Sequence, residues 1–72
     1  MKLVLLRFQS LNEAFDVFMA KDGTYCAMEH DFGSPSCLNK TAEEVATWVA
    51  DHTASEADKI LPLIKTLSPS TL

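Results

Sequence analysis

Four side chains in this sequence have the chemistry to hold a metal ion: Cys26, His30, Cys37 and His52. Zinc sites gather such residues in short spacings such as Cys-x-x-Cys or His-x-x-x-His, and neither occurs here. If Cys26 and His30 share a strand, four residues set them about 13 Å apart at ~3.3 Å per residue. Two ligands of one zinc lie within about 4 Å of each other, because each bond is only ~2.0–2.3 Å. No metal is therefore expected. A nucleophilic site would need Cys or Ser beside His with an orienting acid. Cys37 near His30 and Asp31 meets that loosely, yet no glycine-supported elbow or oxyanion nest accompanies it. Asp16 and Glu29 could be cast as acid and base, but an open sheet face has no apolar wall to raise either pKa. The residues thus point away from an enzyme and call for no cofactor.

The elements that position these side chains follow from pattern. Residues 2–8 read as a first strand, and residues 14–20 as a second with Phe15, Val17 and Met19 on one face. Asp22-Gly23 between two apolar runs signals a hairpin, and residues 24–30 form the returning strand. Taking Asp22-Gly23 as a two-residue loop pairs Met19 with Cys26, Val17 with Met28 and Phe15 with His30 on the buried side. The other face then pairs Ala20 with Tyr25, Phe18 with Ala27 and Asp16 with Glu29. Two carboxylates opposed in this way repel each other, so that face reads as exposed, acidic and aromatic.

Residues 31–40 contain Gly33 and Pro35 and read as a loop, with room for a short edge strand at 36–38. Thr41-Ala42-Glu43-Glu44 has the form of a capping box, opening a helix with Val45, Trp48, Val49 and His52 at helical spacing. Core packing is the expected role of Trp48. The segment 52–54 breaks that helix, and Ser55 is placed to cap a second one along Ala57, Ile60, Leu61, Ile64 and Leu67. Pro62 inside the stripe should kink or restart it. The expected architecture is α+β: a three- to four-stranded antiparallel sheet with two C-terminal helices packed on one face. Residues 1–67 would form one domain and 68–72 a flexible tail.

Size and charge bound the function. The chain has 72 residues, ten acidic and six basic side chains, a net charge of −4 and a pI near 4.9. Such a balance argues against direct nucleic-acid binding, which needs a basic stripe. The longest apolar run, Leu3–Leu6, is too short to span a membrane or to serve as the core of a signal peptide. Two cysteines allow at most one disulfide, which fits a reducing, intracellular setting. A core this small leaves little stability to spare, so a homodimer or a stable complex is a reasonable expectation. Between Glu13 and Asp58 lie all ten acids but only Lys21 and Lys40. An acidic middle with interleaved aromatics suits docking on a basic protein surface. The residues expected to carry that contact are Asp16, Phe18, Tyr25, Glu29 and Asp31.

Two families resemble this layout. Met1-Lys2 leading a first strand, the turn at Asp22-Gly23, a Thr41-led helix carrying Trp48 and a closing helix resemble the small phage-encoded anti-CRISPR proteins. The likeness in layout is especially to a type I-F inhibitor that binds backbone subunits of the crRNA-guided complex. That family's contact surface is made of aromatic and acidic sheet residues; here Leu6 and Ala20 stand where the inhibitor has tyrosines, and Asp31 keeps the acidic character. The resemblance implies a phage inhibitor acting in the cytoplasm of a bacterial host, docked on a CRISPR effector subunit and blocking its nucleic-acid binding. The stretch from Lys21 to Ala27, followed by Thr41 to Val45, is similar to HicB-type antitoxin domains, which implies a partner that is a small ribonuclease toxin. Both likenesses imply a protein that works by binding another protein.

Overall fold

The computed structural model describes residues 5–10, 13–30 and 36–69. Strands β1 (Leu6–Gln9), β2 (Ala14–Met19), β3 (Tyr25–Glu29) and β4 (Ser36–Lys40) come first, and helices α1 (Ala42–Thr53) and α2 (Ala57–Ile64) follow. Every neighbouring pair is antiparallel, in the order β1-β2-β3-β4. Val17, Ala27 and Cys37 from the sheet pack with Val45, Ala46, Val49, Ile60 and Ile64 from the helices. The helices therefore cover one sheet face, the α+β arrangement expected from the sequence.

The hairpin between β2 and β3 differs from expectation by one residue. Ala20 N–H donates to the Thr24 carbonyl at 2.8 Å and Gly23 N–H to the Ala20 carbonyl at 3.0 Å, so the loop is Lys21-Asp22-Gly23. Gly23 alone in this loop has a positive φ, 90°, whereas a two-residue type I′ turn would demand one at Asp22 as well. The Asp22 carboxylate accepts from Thr24 N–H at 2.9 Å and from the Thr24 hydroxyl at 2.6 Å, which holds the three-residue form. Thr24 donates both bonds, and together they hold the Asp22 carboxyl below the usual carboxylate range.

One residue of slip turns over every side chain of β3. The observed pairs are Phe15 with Glu29, Asp16 with Met28, Val17 with Ala27, Phe18 with Cys26 and Met19 with Tyr25. Ala27 and Glu29 thus lie on the helix side, and Cys26 and Met28 on the other. The expected opposition of Asp16 and Glu29 does not form.

β4 is longer than the short edge strand expected. It pairs Ala27 with Cys37 and Tyr25 with Lys40, and a bulge between them sets Cys26 against both Leu38 and Asn39. Asn39 takes a left-handed φ of 58° and donates through Nδ2 to the Thr24 hydroxyl at 3.2 Å, tying the bulge to the hairpin.

The capping box forms as expected. Glu44 N–H donates to Thr41 Oγ1 at 3.2 Å, and Thr41 N–H to Glu44 Oε1 at 3.0 Å. Backbone and side-chain bonds from Thr41 hold the Glu44 carboxyl below its ordinary value. α1 ends on Ala54 in the left-handed region, φ 56°, with Ser55 N–H donating to the Ala50 carbonyl. Ser55 therefore closes α1 and does not cap α2, whose N-cap is Glu56, without a side-chain bond. Pro62 sits within α2 without dividing it, on the exposed side, and has no N–H to donate back to the Asp58 carbonyl. The helix stops at Ile64, so Leu67 reaches the core from a turn. Beyond it, Pro69 makes an isolated parallel bridge to Met19. Ser68 and Pro69 are thus laid against the domain and do not belong to a free tail; residues 70–72 lie outside the described residues.

Candidate functional site

The sheet face away from the helices carries a charged cluster with members from β1, β2 and the residue that follows β3. Arg7 on β1 pairs across to Asp16 on β2, and His30 follows β3 beside Ala14. Arg7 Nε donates to Asp16 Oδ1 at 2.8 Å. His30 Nδ1 lies 2.9 Å from Asp16 Oδ2 and 3.1 Å from Arg7 Nη2. One ring nitrogen cannot donate to the carboxylate and accept from the guanidinium at once. A proton on Nδ1 completes the Asp16 bond, and its loss turns Nδ1 into an acceptor for Arg7.

Asp16 keeps only 13% of its side-chain surface, while Arg7 and His30 keep 43% and 42%. Partial burial by itself would raise the Asp16 carboxyl; the hydrogen bonds and charges of Arg7 and His30 outweigh it and leave it below the usual range. Within the cluster the charges of Arg7 and Asp16 offset each other. It orients an exposed imidazole on the sheet face away from the helices.

Around the cluster the same face is apolar. Phe18 pairs with Cys26, and Cys26 faces the bulge that carries Leu38. Leu5 and Leu38 are among the large apolar side chains left exposed, at 43% and 50%.

The acidic excess lies on the helical layer. Glu43, Glu44 and Asp51 on α1, with Glu56 and Asp58 at the start of α2, are all exposed. At 100° per residue, Glu44, Thr47 and Asp51 form the solvent crest of α1, opposite the buried Val45, Ala46, Val49 and Ala50. Lys59 reaches Glu56 at 3.6 Å, a surface pair of small energetic weight.

Two further features border these faces. An open groove of about 520 Å³ lies between the hairpin and the start of α1, with Thr24, Tyr25, Lys40, Glu43, Glu44 and Lys65 among its walls. At the other end of α1, Trp48 packs edge-on to Phe15, with centroids 5.4 Å apart, and stacks on His52 at 4.1 Å. His52 Nδ1 lies 2.7 Å from the Trp48 carbonyl, so Trp48 and His52 act as structural partners of Phe15.

The expected contact residues therefore divide. Asp16 and Phe18 share the uncovered face. Tyr25 and Glu29 are on the helix side, with Tyr25 half-buried against the core and Glu29 only 8% exposed. Asp31 lies outside the described residues. Cys26 and Cys37 are free thiols on opposite sheet faces, which keeps them from pairing. Burial pushes the Cys37 thiol up, away from reactivity, against the pull of nearby Lys40.

The sequence reasoning passed over Arg7 and His30 as partners of Asp16, and Glu44 and Asp51 as a crest. The first depended on the register. The second was legible, since Glu44 and Asp51 stand seven apart in a helix that the capping box had already placed. Among the described residues no helix is long and apolar enough to cross a membrane. Comparison with family models, curated proteins and solved structures gives no match.

Proposed function

We propose that this chain is a protein-binding inhibitor whose helical layer docks on a basic, nucleic-acid-binding protein surface. The observation that carries the reading is the run of five exposed carboxylates, Glu43, Glu44, Asp51, Glu56 and Asp58, on one layer of the fold. Such a field speeds association with a basic patch and competes with the phosphates that normally occupy it. The order of four antiparallel strands and two helices is also compatible with the anti-CRISPR resemblance. On that reading the target is a CRISPR effector subunit in the bacterial host cytoplasm, and the inhibitor binds no nucleic acid itself. Tyr25 and Glu29 have no part in the contact, because both are on the helix side of the sheet. Asp16 is committed to Arg7 and His30 and does not contribute a free charge.

The test is capture of purified CRISPR effector complexes by the tagged chain at ~50 mM and ~500 mM salt, since exposed charge contacts are screened over that range. Retention at low salt that weakens at high salt supports the reading. Retention of a small ribonuclease toxin in a parallel capture, with no effector bound, replaces it with the antitoxin reading. Binding of neither removes the docking role from the acidic layer.

A further inference from the structure

From the outer flank of α1 we infer that Trp48, with Glu44 and Asp51, takes an arginine side chain of the docked protein. The inference rests on the docking proposed above and names the residue type that the helical layer selects. What points to arginine is an aromatic ring set among the carboxylates. On a helix the surface neighbours of a residue are those three and four positions away. For Trp48 the two toward the core are Val45, which is buried, and His52, which stacks on it. The two toward solvent are Glu44 and Asp51, both exposed. Trp48 stands ~40–60° around the axis from each of them, with Glu44 ~6 Å before it and Asp51 ~4.5 Å beyond.

The indole is held in place before any partner arrives. His52 stacks on it with centroids 4.1 Å apart and 28° between the planes, and Nδ1 of that imidazole lies 2.7 Å from the Trp48 carbonyl. Phe15 meets the indole edge-on at 5.4 Å. Both contacts lie away from the crest, so the surface that half-buried Trp48 keeps is toward Glu44 and Asp51. Glu44 spends Oε1 on Thr41 N–H and keeps Oε2, and Asp51 has no hydrogen bond or ion pair among the described residues.

This arrangement suits a guanidinium better than an ammonium. A planar guanidinium rests on an aromatic ring and forks its N–H groups to carboxylates at the same time. An ammonium is a compact, strongly hydrated charge that gains less from the ring. Carboxylates without an aromatic neighbour, such as Asp58 on α2, have no means of telling the two cations apart.

The test sets a nona-arginine peptide against a nona-lysine peptide at ~50 mM salt. Each is titrated into the full chain by calorimetry and by the emission of Trp48, the one tryptophan of the chain. The expected result is a Kd at least ~3-fold lower for the arginine peptide, with a change in Trp48 emission that the lysine peptide does not produce. Asp51→Asn should erase that preference. Asp58→Asn, an equal loss of charge on α2, should weaken both peptides alike and keep it, and far-UV dichroism of both variants should match the parent's. Equal affinity for the two peptides overturns the inference. So does arginine binding that leaves Trp48 emission unchanged, a preference that outlives Asp51→Asn, or binding of neither peptide. Capture of effector complexes without an arginine preference removes this site alone, whereas the preference without capture removes the CRISPR target and keeps the site.

Discussion

Replacing Ala27 by Leu tests the hairpin register through the sign of its effect. Ala27 has no exposed surface and lies between Val17 and Cys37 in one cross-strand row, beneath Val45, Ala46 and Val49 of α1. Three added carbons have no space there without moving the helix, and overpacking of this kind costs ~1–3 kcal/mol. A 72-residue domain has roughly 4–11 kcal/mol of total stability at typical values per residue. Urea unfolding with m of ~1 kcal/mol/M should thus show the midpoint falling by ~1–3 M. In a two-residue hairpin Ala27 would face solvent, and Leu there would be neutral or mildly stabilising on a pleated surface. Met28→Leu, on the uncovered face, serves as the control and should cost under ~1.5 kcal/mol. Far-UV dichroism follows the helices, and Trp48, the one tryptophan of the chain, reports the packing at Phe15. An Ala27→Leu midpoint equal to or above the parent's would refute the register and the assignment of the two sheet faces built on it.

Three other outcomes follow from single sites. Thr41→Ala removes the side-chain acceptor at the start of α1 and should cost ~1 kcal/mol, lowering Tm by ~4–8 °C in a calorimetric scan; no change would mean that the cap is idle. Gly23→Ala meets no neighbouring atom but must hold φ near 90°, so it should cost ~1–2 kcal/mol in chemical unfolding, and Gly23→Asn visibly less. Equal losses for the two would show that something other than backbone strain decides. Asp16 titrates lower in the folded chain than in the unfolded one, so its contribution is complete above the ordinary carboxylate pKa and fades as pH falls through the folded value. Asp16→Asn should therefore cost ~1 kcal/mol at pH 7, a figure reduced because Arg7 and His30 are two-fifths exposed, and should flatten the loss of stability on acidification. Parallel pH curves for the two proteins would contradict it.

What could be read from the sequence was what local chemistry decides alone. The capping box at Thr41 and Glu44 involves four consecutive residues and needs no tertiary partner, and it formed as expected. The core face of α1 followed from the spacing of Val45 and Val49. The strands were equally visible as runs, but their relation to one another was not. Tyr25, Ala27 and Glu29 are less apolar than Cys26, Met28 and His30, so hydrophobic alternation in β3 favoured the register that does not form. The choice fell to the loop, where the Asp22 carboxylate binding Thr24 favours three residues over two. That single residue moved Glu29 away from Asp16 to the helix side and brought His30 to Asp16, which Arg7 meets through the separate pairing of β1 with β2. β4 was hard to see for a related reason. Its bulge at Leu38 and Asn39 breaks the period-two pattern that marks a strand, and a left-handed Asn39 reads locally as a turn. Ser55 shows a similar competition: its type suits a cap for α2, but the end of α1 claims its N–H first.

The most direct test of the proposed docking is competition for DNA. A CRISPR effector complex is titrated with the parent chain and with a Glu44→Lys, Asp51→Lys variant, and target DNA binding is read by electrophoretic mobility shift. Both positions are exposed on α1, but Glu44 also closes the capping box with Thr41, so far-UV dichroism of the variant is compared with the parent's before the titration. The account predicts that the parent displaces DNA at low salt and that the variant needs at least ~10-fold more protein to do so, a change of about 1.4 kcal/mol. Equal displacement by the two chains would contradict it, because the acidic crest would then have no part in the contact.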